Sequence, residues 1–139
     1  MKVDRAVVVR GAAGGLLIAM LAALANVILA AQHPVPKGAL NATLLGLLAG
    51  FFLAGFVAGY EARREPARHG AYAALVAFVP VEIVGLLGRL DRGDPVSIFG
   101  IVLVAFLAAA AGLGGASFGA KRRLRTIEKR SADPGGTPS

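Results

Sequence analysis

The stretch ALNATLLGLLAGFFLAGFVAGY, residues 39–60, contains no charged side chain. It has about the 20 residues that a helix needs to cross the hydrocarbon core of a bilayer. Three further apolar stretches of similar length lie at residues 7–31, 69–88 and 96–118. The connections between them are too short to hold a water-soluble domain. The sequence therefore predicts an all-α fold, a bundle of four transmembrane helices within residues 1–120.

The composition agrees with a multi-pass membrane protein. The chain has 139 residues, of which 56% are hydrophobic and 19 are glycine, and its mean hydropathy is +0.68. It contains no cysteine, which excludes disulfides, thiolate metal sites and cysteine nucleophiles. Its 11 arginines and 4 lysines, with abundant alanine and glycine, favour a GC-rich prokaryotic genome.

The first apolar stretch has two interpretations, a cleaved signal peptide or a membrane anchor. It follows a basic start and ends in the small residues Ala30 and Ala31, as a signal peptide does. Its apolar part continues for about 20 residues after Arg10, whereas the core of a signal peptide usually has about 7–15. On length we predict an uncleaved anchor.

The positive charges indicate the orientation of the helices. Of the 15 basic residues, 12 lie before or at the start of the first stretch, between the second and third stretches, or after the fourth. The other two connections contain only Lys37, Arg89 and Arg92. By the positive-inside rule, both termini and the middle connection are cytoplasmic. We predict a multi-pass protein of the prokaryotic cytoplasmic (inner) membrane.

The two helical hairpins resemble each other at a spacing of 59–60 residues. The third stretch opens with His69-Gly70-Ala71, as the first opens with Arg10-Gly11-Ala12. The second closes through Gly55 and Gly59, and the fourth through Gly115 and Gly119, each before a basic cluster. A duplication would give a parallel repeat, since a two-helix unit keeps its orientation. Coincidence between two glycine-rich hairpins explains the pattern equally well.

Small residues recur four apart in the second and fourth stretches. In a bilayer such small-xxx-small ladders let two helix backbones approach closely, which stabilises helix association. The pattern predicts that these two helices form the tight centre of the bundle or a face for self-association. The glycines concerned are Gly46, Gly50, Gly55, Gly59, Gly112, Gly115 and Gly119.

Glu82, in the third stretch just after Pro80, is the candidate for chemistry. A charged side chain within the membrane costs several kcal/mol unless it is paired, protonated or hydrated. Glu82 is therefore either a proton- or cation-binding carboxylate in an outward-facing pocket, or a structural acid that hydrogen-bonds across helices or reaches toward the surface. The expected polar neighbours are Asn26, Asn41, Thr43 and Arg89.

The C-terminal segment, residues 121–139, is predicted to be a cytoplasmic tail that is basic at first and then disordered from Ser131 to Ser139. Lys121, Arg122, Arg123 and Arg125 are candidates for binding anionic lipid headgroups. Nucleic-acid binding is not predicted, because the arginines have no aromatic or groove-reading companions.

Two further polar regions lie at the boundaries of the apolar stretches. His69 stands beside arginines at the start of the third stretch; we expect a solvated boundary histidine, although a pH-sensing role is conceivable. Asp91 and Asp94 flank Gly93 and predict a turn, with Asp94-Pro95 at the start of the fourth helix.

The chain resembles the small uncharacterised four-helix integral membrane proteins of bacteria and archaea. The resemblance covers about residues 6–120 and depends on the glycine ladders, on Arg63-Arg64 and on His69-Gly70. It implies no activity. Small multidrug exporters are similar in size, but their essential carboxylate lies on helix 1, where this chain has none. Small fluoride channels carry a polar break in helix 3, where this chain has Phe78-Val79-Pro80-Val81-Glu82.

Two functions follow as hypotheses. The first is a structural or accessory membrane subunit that packs against itself or a larger membrane-protein partner. The second is a small oligomeric transporter or channel that uses Glu82. An enzyme is not predicted, because no paired catalytic groups and no nucleotide, metal or cofactor motif occur in the sequence.

Overall fold

The computed structural model describes residues 3–32, 34 and 37–132, and there the chain forms four α-helices. They are α1 (Arg5–Ala30), α2 (Ala39–Glu61), α3 (Pro66–Arg92) and α4 (Ile98–Ala132). All four are long and apolar enough to cross a membrane. The predicted all-α bundle of four helices is confirmed.

The ends of α1 and α3 are set by local capping. The Asp4 carboxylate accepts a hydrogen bond of 2.9 Å from the backbone N–H of Ala6 at the start of α1. The first residue of α3 is Pro66, whose fixed φ suits the first helical turn. α3 ends at Gly93 in the left-handed region, with φ of 71°, which a residue with a Cβ rarely adopts. These signals make α3 longer at both ends than the apolar stretch 69–88.

α4 differs more from its prediction. Its first turn is capped by the Ser97 hydroxyl, which accepts from the Gly100 N–H at 3.2 Å, so the helix does not begin at Asp94-Pro95. Asp94 instead accepts from the Arg92 guanidinium at 2.8 Å. The helix also continues beyond residue 118 to Ala132, because the intervening Lys, Arg, Leu and Glu residues favour helix. Ser131 is thus helical, while the rest of the predicted disordered segment after Ala132 lies outside the described residues.

The order of the helices around the bundle places α2 and α3 at its centre. Each of these two contacts every other helix, whereas α1 and α4 make no contact in the described part of the chain. α2 therefore lies centrally, as predicted, but α4 lies at the periphery. The sequence pattern cannot make this distinction, because both helices carry the same kind of ladder.

The close contacts between small residues give the helix directions. An added Cβ at Gly50 would lie 2.7 Å from the Ala19 Cβ, and one at Gly11 would lie 2.6 Å from the Ala58 Cβ, so α1 and α2 are antiparallel. Gly55 faces the Gly112 backbone and Gly59 the Ala116 backbone, so α2 and α4 run in the same direction. Gly11 of α1 also faces Ala73 of α3, and Gly88 of α3 faces Val27 of α1, so α1 and α3 run in the same direction and begin at the same end of the bundle.

The two hairpins also make corresponding contacts. Gly11 of α1 packs against Ala54 and Ala58 of α2, and Gly70 of α3 packs against Gly112 and Ala116 of α4. The residues in these contacts correspond at nearly the spacing of the sequence repeat. The same small-residue contact thus closes each hairpin near the end where α1 and α3 begin, and the duplication itself stays a prediction.

The outer surface of the bundle is strongly apolar. Leu17, Phe99 and Phe106 are 69%, 78% and 71% exposed, whereas Phe51 is fully buried against the Phe78 ring. Exposing such a surface to water would be unfavourable, whereas contact with lipid tails is not. This exposure agrees with the membrane-spanning lengths of the helices.

Candidate intramembrane polar site

Glu82 and Arg89 form an ion pair along α3. They are seven residues apart, which places them two turns apart on one helix face. The Arg89 Nη1 lies 3.5 Å from the Glu82 Oε1, and the exposed fractions of the two side chains are 33% and 13%. Oε1 is buried and has no hydrogen-bond partner in the part of the chain that the structure describes. The carboxylate is thus close to a positive charge but incompletely satisfied.

This pair lines a cavity of about 170 Å³ between the helices. Gly85, one turn after Glu82, also lines it, and an added Cβ there would meet nothing within 4 Å. The missing side chain at Gly85 therefore keeps space open between the carboxylate and the guanidinium. All four helices contribute to the wall, through Ala23, Asn26, Leu44, Leu47, Val81 and Val104 besides the three residues already named.

A second polar pair holds α1 to α2 beside the cavity. The Asn26 Nδ2 donates to the Thr43 Oγ1 at 2.7 Å, and the Thr43 hydroxyl donates to the Leu40 carbonyl at 2.9 Å. Asn26 lines the cavity, and Thr43 is buried. Interhelical hydrogen bonds of this kind stabilise a membrane bundle by about 0.6 kcal/mol on average.

Asn41 lies elsewhere. It was expected near Glu82, but the structure exposes it and leaves it out of the cavity wall. Residues two positions apart on a helix point in very different directions. Because Thr43 faces the bundle, Asn41 faces away from it. The polar residue that α2 directs inward is thus Thr43.

The size of the cavity limits what it can hold. Pockets for drug-sized molecules measure about 300–1,000 Å³, whereas the share of liquid volume per water molecule is about 30 Å³. A cavity of about 170 Å³ suits a few waters or a small cation. Its polar lining consists of one carboxylate, a neighbouring guanidinium and an amide.

His69 is buried at the end of the bundle where α3 begins. It is only 6% exposed, so the expectation of a solvated histidine is wrong. Its Nε2 lies 3.0 Å from the Asp4 backbone nitrogen and its Nδ1 lies 3.0 Å from the Glu65 carbonyl oxygen. The backbone N–H of Asp4 donates to Nε2, and a proton on Nδ1 completes the second bond. The ring is drawn inward because the next residue, Gly70, packs against α4. His69 thus joins the start of α1 to α3.

The basic cluster after residue 120 divides into two groups. Lys121, Arg122 and Arg125 are exposed on α4. The Arg123 guanidinium instead donates to the Ala62 carbonyl at 2.8 Å and holds α4 to the end of α2. The sequence gives no signal for this difference, since all four residues stand in one run.

The predicted packing glycines all face other helices of the same protomer. Gly46 and Gly50 face α1, Gly55 and Gly59 face α4, and Gly112 faces α3. Gly115 and Gly119 face the backbone of α2. Gly11 and Gly15 of α1, which the ladder pattern did not include, make equally close contacts with α2. Their spacing of four residues was the available signal.

Within the described residues, no group of three or more His, Cys, Asp or Glu side chains is placed to hold a metal ion. Comparison of the chain with protein-family models, curated proteins and solved structures gives no match. The resemblance to small four-helix membrane proteins therefore stays a prediction.

Proposed function

We propose that this protein is an accessory subunit of a larger assembly in the cytoplasmic membrane, and that it contacts its partner through the last part of α4. The observation that carries the proposal is the length of this helix. Its 35 residues span about 52 Å, whereas the hydrocarbon core is about 30 Å thick. α4 therefore continues well beyond the bilayer, on the side where the positive-inside rule places the cytoplasm.

The projecting part of α4 carries two exposed apolar residues. Leu124 is 66% and Ile127 is 50% exposed, and residues three apart share a helix face. Because α4 is one continuous helix, this part cannot lie flat on the membrane surface without a break. A basic helix with an apolar face is typical of a segment that lies on a membrane surface or docks on another protein, and the continuity of α4 favours the second.

The glycine faces do not offer a surface for self-association. They are occupied by contacts inside the protomer, so they are not left for pairing with a second copy. The exposed basic residues of α4 would add attraction to anionic lipid headgroups near the surface.

Native mass spectrometry of the protein extracted with its lipids from its own host tests this proposal. We expect a reproducible heteromeric complex with the wild-type chain and its loss with Leu124→Ser/Ile127→Ser. Arg122→Gln/Thr126→Ala, on the other side of the same helix, is the matched control and should keep the complex. A homo-oligomer without companions would contradict the proposal.

A second function is favoured by one specific observation, the incompletely satisfied carboxylate of Glu82 in a cavity that all four helices line. A small transporter or channel would use it to bind a proton or cation, and a pore would form between protomers because four helices leave little lumen. This function needs the carboxylate itself rather than the shape of the side chain.

Uptake of protons and monovalent cations into proteoliposomes distinguishes the two functions. A carrier should lose uptake at least tenfold, or lose its pH dependence, with Glu82→Gln. Asp91→Asn removes an exposed carboxylate nine residues after Glu82 on the same helix. It should leave uptake unchanged. Uptake that survives Glu82→Gln would exclude this role for the carboxylate, and no uptake by the wild-type chain would leave the accessory function.

A further inference from the structure

We propose that a groove between α1 and α3 binds one anionic phospholipid, with its headgroup at Arg5 and an acyl chain against the valines below it. The groove has a volume of about 290 Å³. It lies on the bundle surface at the end where both helices begin, and its described lining includes no residue of α4 or of the Glu82 cavity. Its lining residues are Val3, Arg5, Val8, Val9, Tyr72 and Val76.

The groove runs along the helices. α1 and α3 are parallel, and Gly11 lies beside Ala73, so Arg5 is level with the first turn of α3 and Val76 is about two to three turns deeper. At 1.5 Å per residue the groove is about 15 Å long. Its deep part is lined only by valine and by the Tyr72 ring, which is the chemistry that receives a hydrocarbon chain.

The charges at its mouth favour an anion. Arg5 is exposed and makes no ion pair within the described part of the chain. Arg68 lies beside the Tyr72 side chain and pairs with Glu65 at 2.9 Å. Of the other acidic groups at this end, Asp4 caps α1 and Glu61 pairs with Arg10 at 3.5 Å.

The backbone adds to this attraction. Both α1 and α3 begin at this end, so the positive ends of two helix dipoles point toward the headgroup region. Tyr72 is 45% exposed at the boundary, where an aromatic ring with a polar tip is favoured. A negative headgroup above a hydrocarbon chain matches both the charge and the apolar part of this groove.

Native mass spectrometry in detergent tests the proposal, with phosphatidylglycerol and phosphatidylcholine of identical acyl chains as probes. We expect the wild-type protein to retain one phosphatidylglycerol in preference to phosphatidylcholine. Arg5→Gln should weaken phosphatidylglycerol retention about fivefold, the effect of one basic side chain near a membrane surface, and leave phosphatidylcholine unchanged. Lys37→Gln removes one positive charge from the exposed connection before α2, at the other end of the bundle, and should leave retention at the wild-type level.

A second pair of variants tests the acyl-chain part. Val76→Phe fills the groove and should reduce retention of both lipids. Val79→Phe places the same ring one turn further along α3, on another exposed valine outside the groove, and should not. Equal loss with Arg5→Gln and Lys37→Gln, or unchanged retention with both Arg5→Gln and Val76→Phe, would overturn the proposal. Because the test measures lipid alone, its result is independent of any partner protein.

Discussion

Gly115→Ala is expected to destabilise the bundle by about 1–3 kcal/mol, the usual cost of adding a methyl group to a filled interior. Gly115 is buried where α4 crosses α2, and an added Cβ would lie 2.8 Å from the Phe56 backbone nitrogen and closer still to the Phe52 carbonyl oxygen. Backbone atoms of a central helix cannot move aside as the end of a flexible side chain can. The two helices must therefore separate, and the midpoint of thermal or detergent-induced unfolding should fall.

Gly114→Ala is the matched control, because it makes the same change at the next residue. Gly114 is exposed, and its added Cβ would lie 3.8 Å from the Phe52 ring, an ordinary contact. Alanine also favours helix by about 1 kcal/mol over glycine. The control should be as stable as the wild type or slightly more so. Equal losses in the two variants would show that close contact between α2 and α4 does not stabilise the bundle.

An all-or-none result is expected from cysteine labelling, which tests the predicted orientation. The chain has no cysteine, so a maleimide can label the protein only at the single cysteine that each variant introduces. In intact cells, a membrane-impermeant maleimide should label Asp91→Cys and should not label Ala67→Cys or Ser131→Cys. The physical reason is the distribution of arginine and lysine, which keeps the basic segments on the cytoplasmic side.

Permeabilised cells supply the control for this experiment. All three positions are exposed, so all three variants should react once the membrane is opened. Labelling of Ser131→Cys in intact cells would reverse the orientation. Partial labelling of every variant would indicate that the chain inserts in both directions, against the strong charge bias.

Local features of the chain were sufficient to predict the number of helices and most of their ends. A run of about 20 apolar residues in a bilayer has one favourable conformation, because helix satisfies every backbone group within the segment. The ends were less certain where polar helix-forming residues follow an apolar run. α4 continued to Ala132 for that reason, and α3 gained a turn at each end from Pro66 and Gly93.

For the candidate polar site, spacing along one helix was sufficient to predict which residues of that helix lie together. The sequence was a poorer guide to which residues of the other helices join them. The pairing of Glu82 with Arg89 follows from their separation of seven residues, and the structure brings Asn26 to the same cavity. Asn41 was expected there as well, but the rotation of α2 about its axis directs Thr43 inward instead. That rotation depends on which faces of α2 contact its neighbours.

The sequence by itself thus determined the four helices that are long and apolar enough to span a membrane, and the position of each charge along them, since both depend on residues close together in the chain. Which helices lie at the centre, that His69 is buried and that Arg123 caps α2 depend on contacts between distant segments. Glycine ladders look alike on several helices, so the sequence pattern does not show which helix packs against which. Their partners are chosen by how four backbones fit together at once, which is a property of the assembled bundle.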